Sequence, residues 1–177
     1  MRYPFHIFLC LIVFAASVAH ARKDKGEHLK FGMGKENEWK LINSKGAGRG
    51  KDYIMEFVRE GDDAENPKER VVMHDFGKSG RTRSPETRVE EIKAAREKEC
   101  PGGTEWKVID SQKDSILFEW HTQPCPGQTE RWEIARVLYG EHNVFLLRYT
   151  AKRQEPSPET RAEWARRFSN AAIDNEP

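Results

Sequence analysis

The segment Thr129–Lys152, TERWEIARVLYGEHNVFLLRYTAK, decides the fold. Two stretches rich in apolar residues, 129–139 and 144–152, flank the glycine-containing tetrapeptide GEHN, which is typical of a β-hairpin loop. In that register Arg136 falls in an apolar row, and we expect its stem to be covered and its charged head to reach water. The other members of the row are predicted to share one face: Trp132, Ile134, Leu138, Phe145, Leu147 and Tyr149.

On either side of the hairpin, alternating or β-branched stretches predict further strands at 39–43, 52–60, 70–76, 105–110 and 115–121. A short strand near 29–31 is also predicted.

The tetrapeptide SPET occurs at 84–87 and again at 157–160, and each copy is expected to open a helix. The serine caps free amides and the proline suits the first helical position. The order is therefore three strands, a helix, four strands and a helix. This order predicts an α+β domain with a mostly antiparallel seven-stranded sheet and two packing helices.

The N-terminal segment Met1–Ala21 has the pattern of a cleaved secretory signal peptide. It carries one basic residue, Arg2, then the apolar run IFLCLIVFAA at 7–16, then small residues at Ala19 and Ala21. The apolar run is shorter than the roughly 20 residues that a membrane-spanning helix needs. We therefore expect an exported protein, periplasmic or secreted, with no stable membrane anchor after cleavage. Residues 22–38 form a polar lead-in, and 39–177 form a single α+β domain.

Removal of the signal peptide leaves two cysteines, Cys100 and Cys125, each followed by proline and glycine. An even number of cysteines in an exported chain favours a disulfide. A reactive thiol and a metal pair are the rival interpretations, and two cysteines without a nearby histidine make a poor zinc site. The full chain has 30 basic and 29 acidic residues, and loss of Arg2 balances them. Such a balance argues against broad electrostatic capture of nucleic acid or of an anionic membrane, which needs a basic excess or patch.

A family resemblance rests on Trp39-Lys40-Leu41, on the run EFVREGD at 56–62 leading into Asn66, and on the two cysteines followed by a closing hairpin and helix. These features resemble a group of uncharacterised exported bacterial proteins with a glycine-acid turn after the second strand. The chain departs from that group where Pro67 follows Asn66, since a tryptophan is expected soon after the acid. The strand order resembles the Mog1/PsbP-like α/β/α sandwich. The resemblance implies a fold and an exported bacterial origin, and it transfers no catalytic residue.

A polar cluster is the first candidate site. Glu119 and His121 point the same way on one predicted strand, and Arg131 and Glu133 point the same way on the first strand of the hairpin. Arg148 lies on the second strand of the hairpin and is the alternative cation to Arg131 as the fourth member of the cluster. If these strands are neighbours, the four side chains are expected to share one face, where a histidine and carboxylates perform general acid-base chemistry. The competing interpretation is a solvated sheet face with cross-strand ion pairs.

A second candidate is an anion loop at 45–51, KGAGRGK, with Lys45, Arg49 and Lys51 as its cations. Backbone amides of a glycine loop beside basic side chains hold phosphate or carboxylate. The loop lacks the serine or threonine of a P-loop, since Asp52 follows Lys51, and a strand rather than a helix comes next. A flexible connection between two strands is the competing interpretation. No cofactor or metal motif is predicted, because the histidines lack metal-ligand spacing.

Two functions remain open from the sequence. The first is an exported, disulfide-containing accessory or binding protein for an unknown protein or small ligand, which predicts an apolar groove or patch on the surface. The alternative is a small exported hydrolase that uses His121 with Glu119 or Glu133, which requires those side chains to meet in one cleft.

Overall fold

A computed structural model describes residues 27–35, 38–46 and 52–175. Its elements follow one another in this order: β1 Glu27–Lys30, β2 Trp39–Gly46, β3 Tyr53–Arg59, β4 Glu69–Asp75, a 3-10 turn Lys78–Thr82, α1 Pro85–Glu99, β5 Thr104–Gln112, β6 Ser115–Thr122, β7 Arg131–Tyr139, β8 Val144–Lys152, α2 Pro158–Ser169 and β9 Ala172–Asn175. The signal peptide predicted at 1–21 lies outside the described residues.

The main sheet has seven antiparallel strands in the order β2-β3-β4-β8-β7-β6-β5. The predicted α+β class and the order of three strands, helix, four strands and helix are confirmed within it. The hairpin is confirmed as well, with Leu138 opposite Phe145 and Ile134 opposite Tyr149. The long apolar strands β6, β7 and β8 occupy the buried half of the sheet.

A second, two-stranded sheet joins the two ends of the described chain. β1 pairs antiparallel with β9, and Leu29 lies opposite Ile173. β1 belongs to the segment that the sequence suggests is a lead-in, and β9 follows α2 directly. This pairing brings residues 27–33 against the main sheet, where Leu29, Phe31 and Met33 pack on its core.

The two faces of the main sheet carry separate cores. On the α1 face, Val89 of α1 packs with Phe118, Trp120 and Val137. On the α2 face, Trp164 and Phe168 of α2 pack with a larger set: Val71, Met73, Leu117, Trp132, Ile134, Leu138, Leu147, Tyr149 and Ala151. Helix, sheet and helix therefore form three layers, and the period-two pattern of each strand sends alternate residues to the two cores.

Both helices begin as their SPET tetrapeptides predict. Ser84 Oγ accepts a hydrogen bond from the amide of Thr87 at 3.2 Å, and Ser157 Oγ accepts one from the amide of Thr160 at 3.2 Å. A proline occupies the start of each helix. The shared capping chemistry thus explains the repeated tetrapeptide.

The expectation that the charged head of Arg136 reaches water is wrong. The side chain lies on the α2 face, and only 9% of the residue is exposed. Nη1 donates to the carbonyl oxygens of Phe168, Ser169 at 2.9 Å and Ala171 at 3.1 Å, and Nη2 donates to Ser115 Oγ at 3.1 Å. The last carbonyls of a helix lack partners within the helix and carry partial negative charge. Arg136 satisfies them and fixes the end of α2 on the sheet.

Arg136→Met is expected to lower the free energy of unfolding by about 2 kcal/mol, because buried carbonyl oxygens lose a charged donor. Urea denaturation measures this loss. Arg166→Gln is the control, since Arg166 is an exposed arginine of the same helix, and it should change stability by about 0.5 kcal/mol or less. Equal effects from the two variants would contradict the capping role of Arg136.

Candidate functional site

The predicted disulfide joins Cys100 and Cys125, whose Cα atoms are 6.0 Å apart. Cys100 lies directly after α1, and Cys125 lies in the connection between β6 and β7. The bond therefore fastens the C-terminal end of α1 to a loop at the end of the sheet. Cys100 is buried, as expected for a structural cysteine rather than a reactive one.

Glu133 is the most deeply buried charged residue of the predicted polar cluster, with 0% exposure. Its carboxylate accepts hydrogen bonds from Arg148 Nε at 2.9 Å and Nη2 at 2.7 Å, from Thr150 Oγ1 at 3.0 Å and from Trp120 Nε1 at 3.1 Å. Burial alone raises the pKa of Glu133, but the charge and hydrogen bonds of Arg148, with the hydroxyl of Thr150, outweigh burial and hold the pKa below its usual value. Glu133 is thus a saturated, ionised structural group.

The expectation that the four cluster residues share a face is wrong. β6 and β7 are neighbours, but their register places Trp120 opposite Glu133. Cross-strand partners share a face, so Glu133 lies with Trp120 on the α1 face. Glu119 and His121, one residue to either side of Trp120, point to the α2 face. The structure therefore brings Glu133 and Arg148 together and separates them from Glu119 and His121.

The proposed hydrolase requires His121 to contact Glu119 or Glu133, and the structure gives His121 and Glu119 other partners. His121 Nε2 lies 3.0 Å from Glu130, and Nδ1 lies 3.4 Å from Gln123 Nε2. Glu119 lies 3.3 Å from Nζ of Lys107. Glu119 and His121 do line one cleft of about 470 Å³, which Glu133 does not line. The carboxylate that His121 contacts is that of Glu130, a residue that carries no distinguishing signal in the sequence.

One of the three cations of the predicted anion loop lies within the described residues. Lys45 lies near the end of β2 and is exposed, whereas Arg49 and Lys51 lie outside the described residues. Within the described ranges, no group of three or more histidine, cysteine, aspartate or glutamate side chains is placed to hold a metal ion. No helix in this part of the chain is long and apolar enough to span a bilayer.

A groove on the α2 face, which we call the methionine groove, is an apolar cleft of the kind expected of a binding protein, at a place that the sequence did not indicate. Its volume is about 580 Å³. β3 and β4 form its floor, where Met55 lies opposite Met73. The chain at β1 and just after it forms the wall. Its apolar lining consists of Leu29, Phe31, Met33, Tyr53, Met55, Phe57, Met73 and Phe145.

The two carboxylates beside the methionine groove already serve the fold. Glu27 is 3% exposed and accepts hydrogen bonds from the amides of the β7–β8 turn, including His142 at 3.0 Å and Asn143 at 2.6 Å. Asp75 accepts from the amide of Gly77 at 2.8 Å and from Asn143 Nδ2 at 3.3 Å. These contacts anchor the wall of the groove to the sheet. His28 and Lys30 also line the groove, and Lys30 forms an ion pair with Asp174. The remaining lining is mainly thioether and aromatic surface.

All three methionines after Met1 line this groove: Met33, Met55 and Met73. Methionine side chains are flexible and polarizable, and they are used where a surface must adapt to a bound apolar group.

No family model matches the chain, and no curated protein matches it in sequence. The fold and the groove define a small disulfide-linked α+β protein with an apolar cleft, and function has to be inferred from that cleft.

Proposed function

We propose that the protein is a non-catalytic binding protein that takes a small apolar ligand, of the size and chemistry of an acyl chain, in the methionine groove. The observation that carries this proposal is the convergence of Met33, Met55 and Met73 with Phe31, Phe57 and Phe145 around one concave surface. Met73 and Phe145 are buried, whereas the other four side chains are only half-buried on the adjoining core. Large apolar side chains that stay partly open to solvent along one groove mark a binding surface.

The size and shape of the groove favour a small molecule over a protein partner. A volume of about 580 Å³ falls inside the range of about 300–1,000 Å³ that is usual for small-ligand sites. Protein interfaces are flatter and bury about 800 Å² on each side. The carboxylates of Glu27 and Asp75 are engaged by the turn at 141–143 and by Gly77. Apolar contact is therefore the main source of affinity.

Export is part of the same proposal. The signal-peptide pattern at 1–21 is supported by the Cys100–Cys125 disulfide, because such bonds persist in oxidising compartments. The strand order of the sequence is the basis for the proposed kinship with exported Mog1/PsbP-like domains, and this kinship requires the three layers that α1, the sheet and α2 form. A periplasmic or secreted protein of this kind would bind its ligand outside the cytoplasm.

The uncharged fluorescent probe N-phenyl-1-naphthylamine tests the proposal directly. We expect its fluorescence to rise on addition of the protein, with saturation, and we expect 1-octanol to displace it. Met55→Gln should weaken probe binding by about tenfold, because the introduced amide must be desolvated without a partner.

Val108→Gln is the matched control, since Val108 is an exposed apolar residue, 58% accessible, on the distant edge strand β5. It should leave probe binding unchanged. Binding that is equally strong in Met55→Gln and in the unmodified protein would overturn the assignment of the groove.

A further inference from the structure

The α1 face of the sheet contains a second cleft, which we call the cationic cleft. α1 contacts β6 and β7, and the part of this face formed by β3, β4 and β8 lies beyond the helix. The cleft has a volume of about 250 Å³ and opens between these strands and the residues before β4. Its polar lining is mainly basic, with Lys68, Arg70, Arg131, Arg148 and Lys152, and it also contains Thr150, His74 and the carboxylate of Glu56. Ile54, which also lines the cleft, is the cross-strand partner of Lys45 from the predicted anion loop.

The strand register places like charges side by side in the cleft. Arg131 of β7 lies directly opposite Lys152 of β8, and Arg70 of β4 lies opposite Thr150, two residues from Lys152 on the same face. Like charges that face each other across antiparallel strands destabilise the sheet. A bound anion between these side chains would remove the repulsion.

The acidic side chains near the cleft do not balance it. Glu133 is fully engaged by Arg148, and Glu56 lies 3.3 Å from Arg70. Within the described part of the chain, no ion pair forms through the side chains of Lys68, Arg131 or Lys152. Nε of Arg131 and Nε of Arg70 are both buried without a hydrogen-bond partner. Buried donors of this kind are normally satisfied.

The pKa shifts agree with this geometry. Burial lowers the pKa of Lys152, and the charges of Arg70, Arg131 and Arg153 lower it further. Burial and the charge of Arg96 likewise lower the pKa of Arg131, although the charges of Glu133 and Glu99 oppose this shift. Burial is the largest cause in both groups, and the neighbouring cations add to it, so a bound anion would favour the charged form of each side chain.

We propose that the cationic cleft is a binding site for a phosphate group, with Arg131 and Lys152 as its principal ligands and Arg70 and Lys68 at its sides. A phosphate oxyanion offers several acceptor oxygens to the unpaired guanidinium and ammonium donors. The site lies on the opposite face of the sheet from the methionine groove, since neighbouring residues of β3 and β4 line the two. It is therefore independent of the function proposed for the groove.

The test measures thermal unfolding of the protein at neutral pH with increasing inorganic phosphate at constant ionic strength. We expect the Tm to rise with saturation, because a ligand that binds only the folded state stabilises it. Arg131→Gln should weaken the apparent affinity by about tenfold or more, since a charged hydrogen-bond donor is lost. Arg166→Gln, which removes the same charge from α2 on the other face, should behave as the unmodified protein does.

The stability of Arg131→Gln without phosphate separates a binding role from a structural one. Relief of the repulsion between Arg131 and Lys152 should leave its Tm unchanged or higher, whereas a structural role predicts a lower Tm. The same result is expected for Lys152→Gln. A phosphate-dependent rise in Tm that is equal in the unmodified protein and in both cleft variants would overturn the proposal, because it would reflect a general salt effect.

A second arm distinguishes the sources of the phosphate group. Co-sedimentation with phosphatidylcholine vesicles that contain phosphatidate is compared with co-sedimentation with phosphatidylcholine alone. Binding to phosphatidate vesicles that Arg131→Gln abolishes assigns the site to a lipid headgroup. Saturable stabilisation by inorganic phosphate without vesicle binding assigns it to a free phosphate compound. Failure of the unmodified protein in both arms contradicts the proposal.

Discussion

Glu133→Gln is expected to lower the free energy of unfolding by about 3–5 kcal/mol, because it leaves the charge of Arg148 without its buried partner. The substitution conserves shape, so the loss reports on charge and hydrogen bonding rather than on packing. The carboxylate of Glu133 is fully buried and accepts four hydrogen bonds from Trp120, Arg148 and Thr150. Urea denaturation at neutral pH measures the difference.

Glu119→Gln is the matched control for Glu133→Gln. Glu119 lies on the neighbouring strand and pairs with Lys107, whose side chain is 70% exposed. An ion pair of this kind contributes about 1 kcal/mol or less. Comparable losses from the two variants would contradict the assignment of Glu133 as the buried structural carboxylate.

The buried pair also has a defined dependence on pH. The pKa of Glu133 is lower in the folded protein than its ordinary value of 4.5. The ionised form therefore stabilises the folded state above the unfolded-state pKa, and this contribution is lost as the pH falls through the lower, folded-state pKa. We expect the stability difference between the unmodified protein and Glu133→Gln to be constant near neutral pH and to shrink below about pH 4.

Replacement of both disulfide cysteines, Cys100→Ser with Cys125→Ser, is expected to lower the free energy of unfolding by about 3.5 kcal/mol. The bond closes a loop with a sequence separation of 25 residues, which limits the freedom of the unfolded chain. Urea denaturation with and without dithiothreitol provides the measurement. The reductant should lower the transition midpoint of the unmodified protein to that of the double variant. A midpoint that does not respond to the reductant would contradict a stabilising bond.

The sequence predicts the main sheet because the patterns that indicate its strands lie within short stretches of the chain. Residues 115–121 alternate in polarity, and the loop 140–143 separates two apolar stretches at hairpin spacing. The serine and proline of each SPET tetrapeptide fixed the helix starts. β9 was missed, because Ala172–Asn175 is short and its partner β1 lies more than 140 residues earlier in the chain. Pairing over that separation leaves no periodic signal.

The sites were harder to predict, because they depend on register and on distant contacts. Contact between Glu133 and His121 depends on which residue of β6 lies opposite Glu133. The alternation of apolar and polar residues along β6 and β7 does not determine that pairing. The sequence predicts that the head of Arg136 reaches water, because its actual partners at the end of α2 follow more than 30 residues later. The methionine groove requires both the pairing of Met55 with Met73 and the placement of Met33 beside β1.

The methyl resonances of the methionines test the binding role of the groove most directly. In protein labelled with ¹³C at the methionine methyl groups, Met33, Met55 and Met73 report on the groove, and Met1 is the only other methionine. On titration with 1-octanol, we predict that all three resonances shift together and saturate at one common concentration. Resonances that stay fixed, or that drift without saturation, would contradict the assignment of the groove as a ligand site.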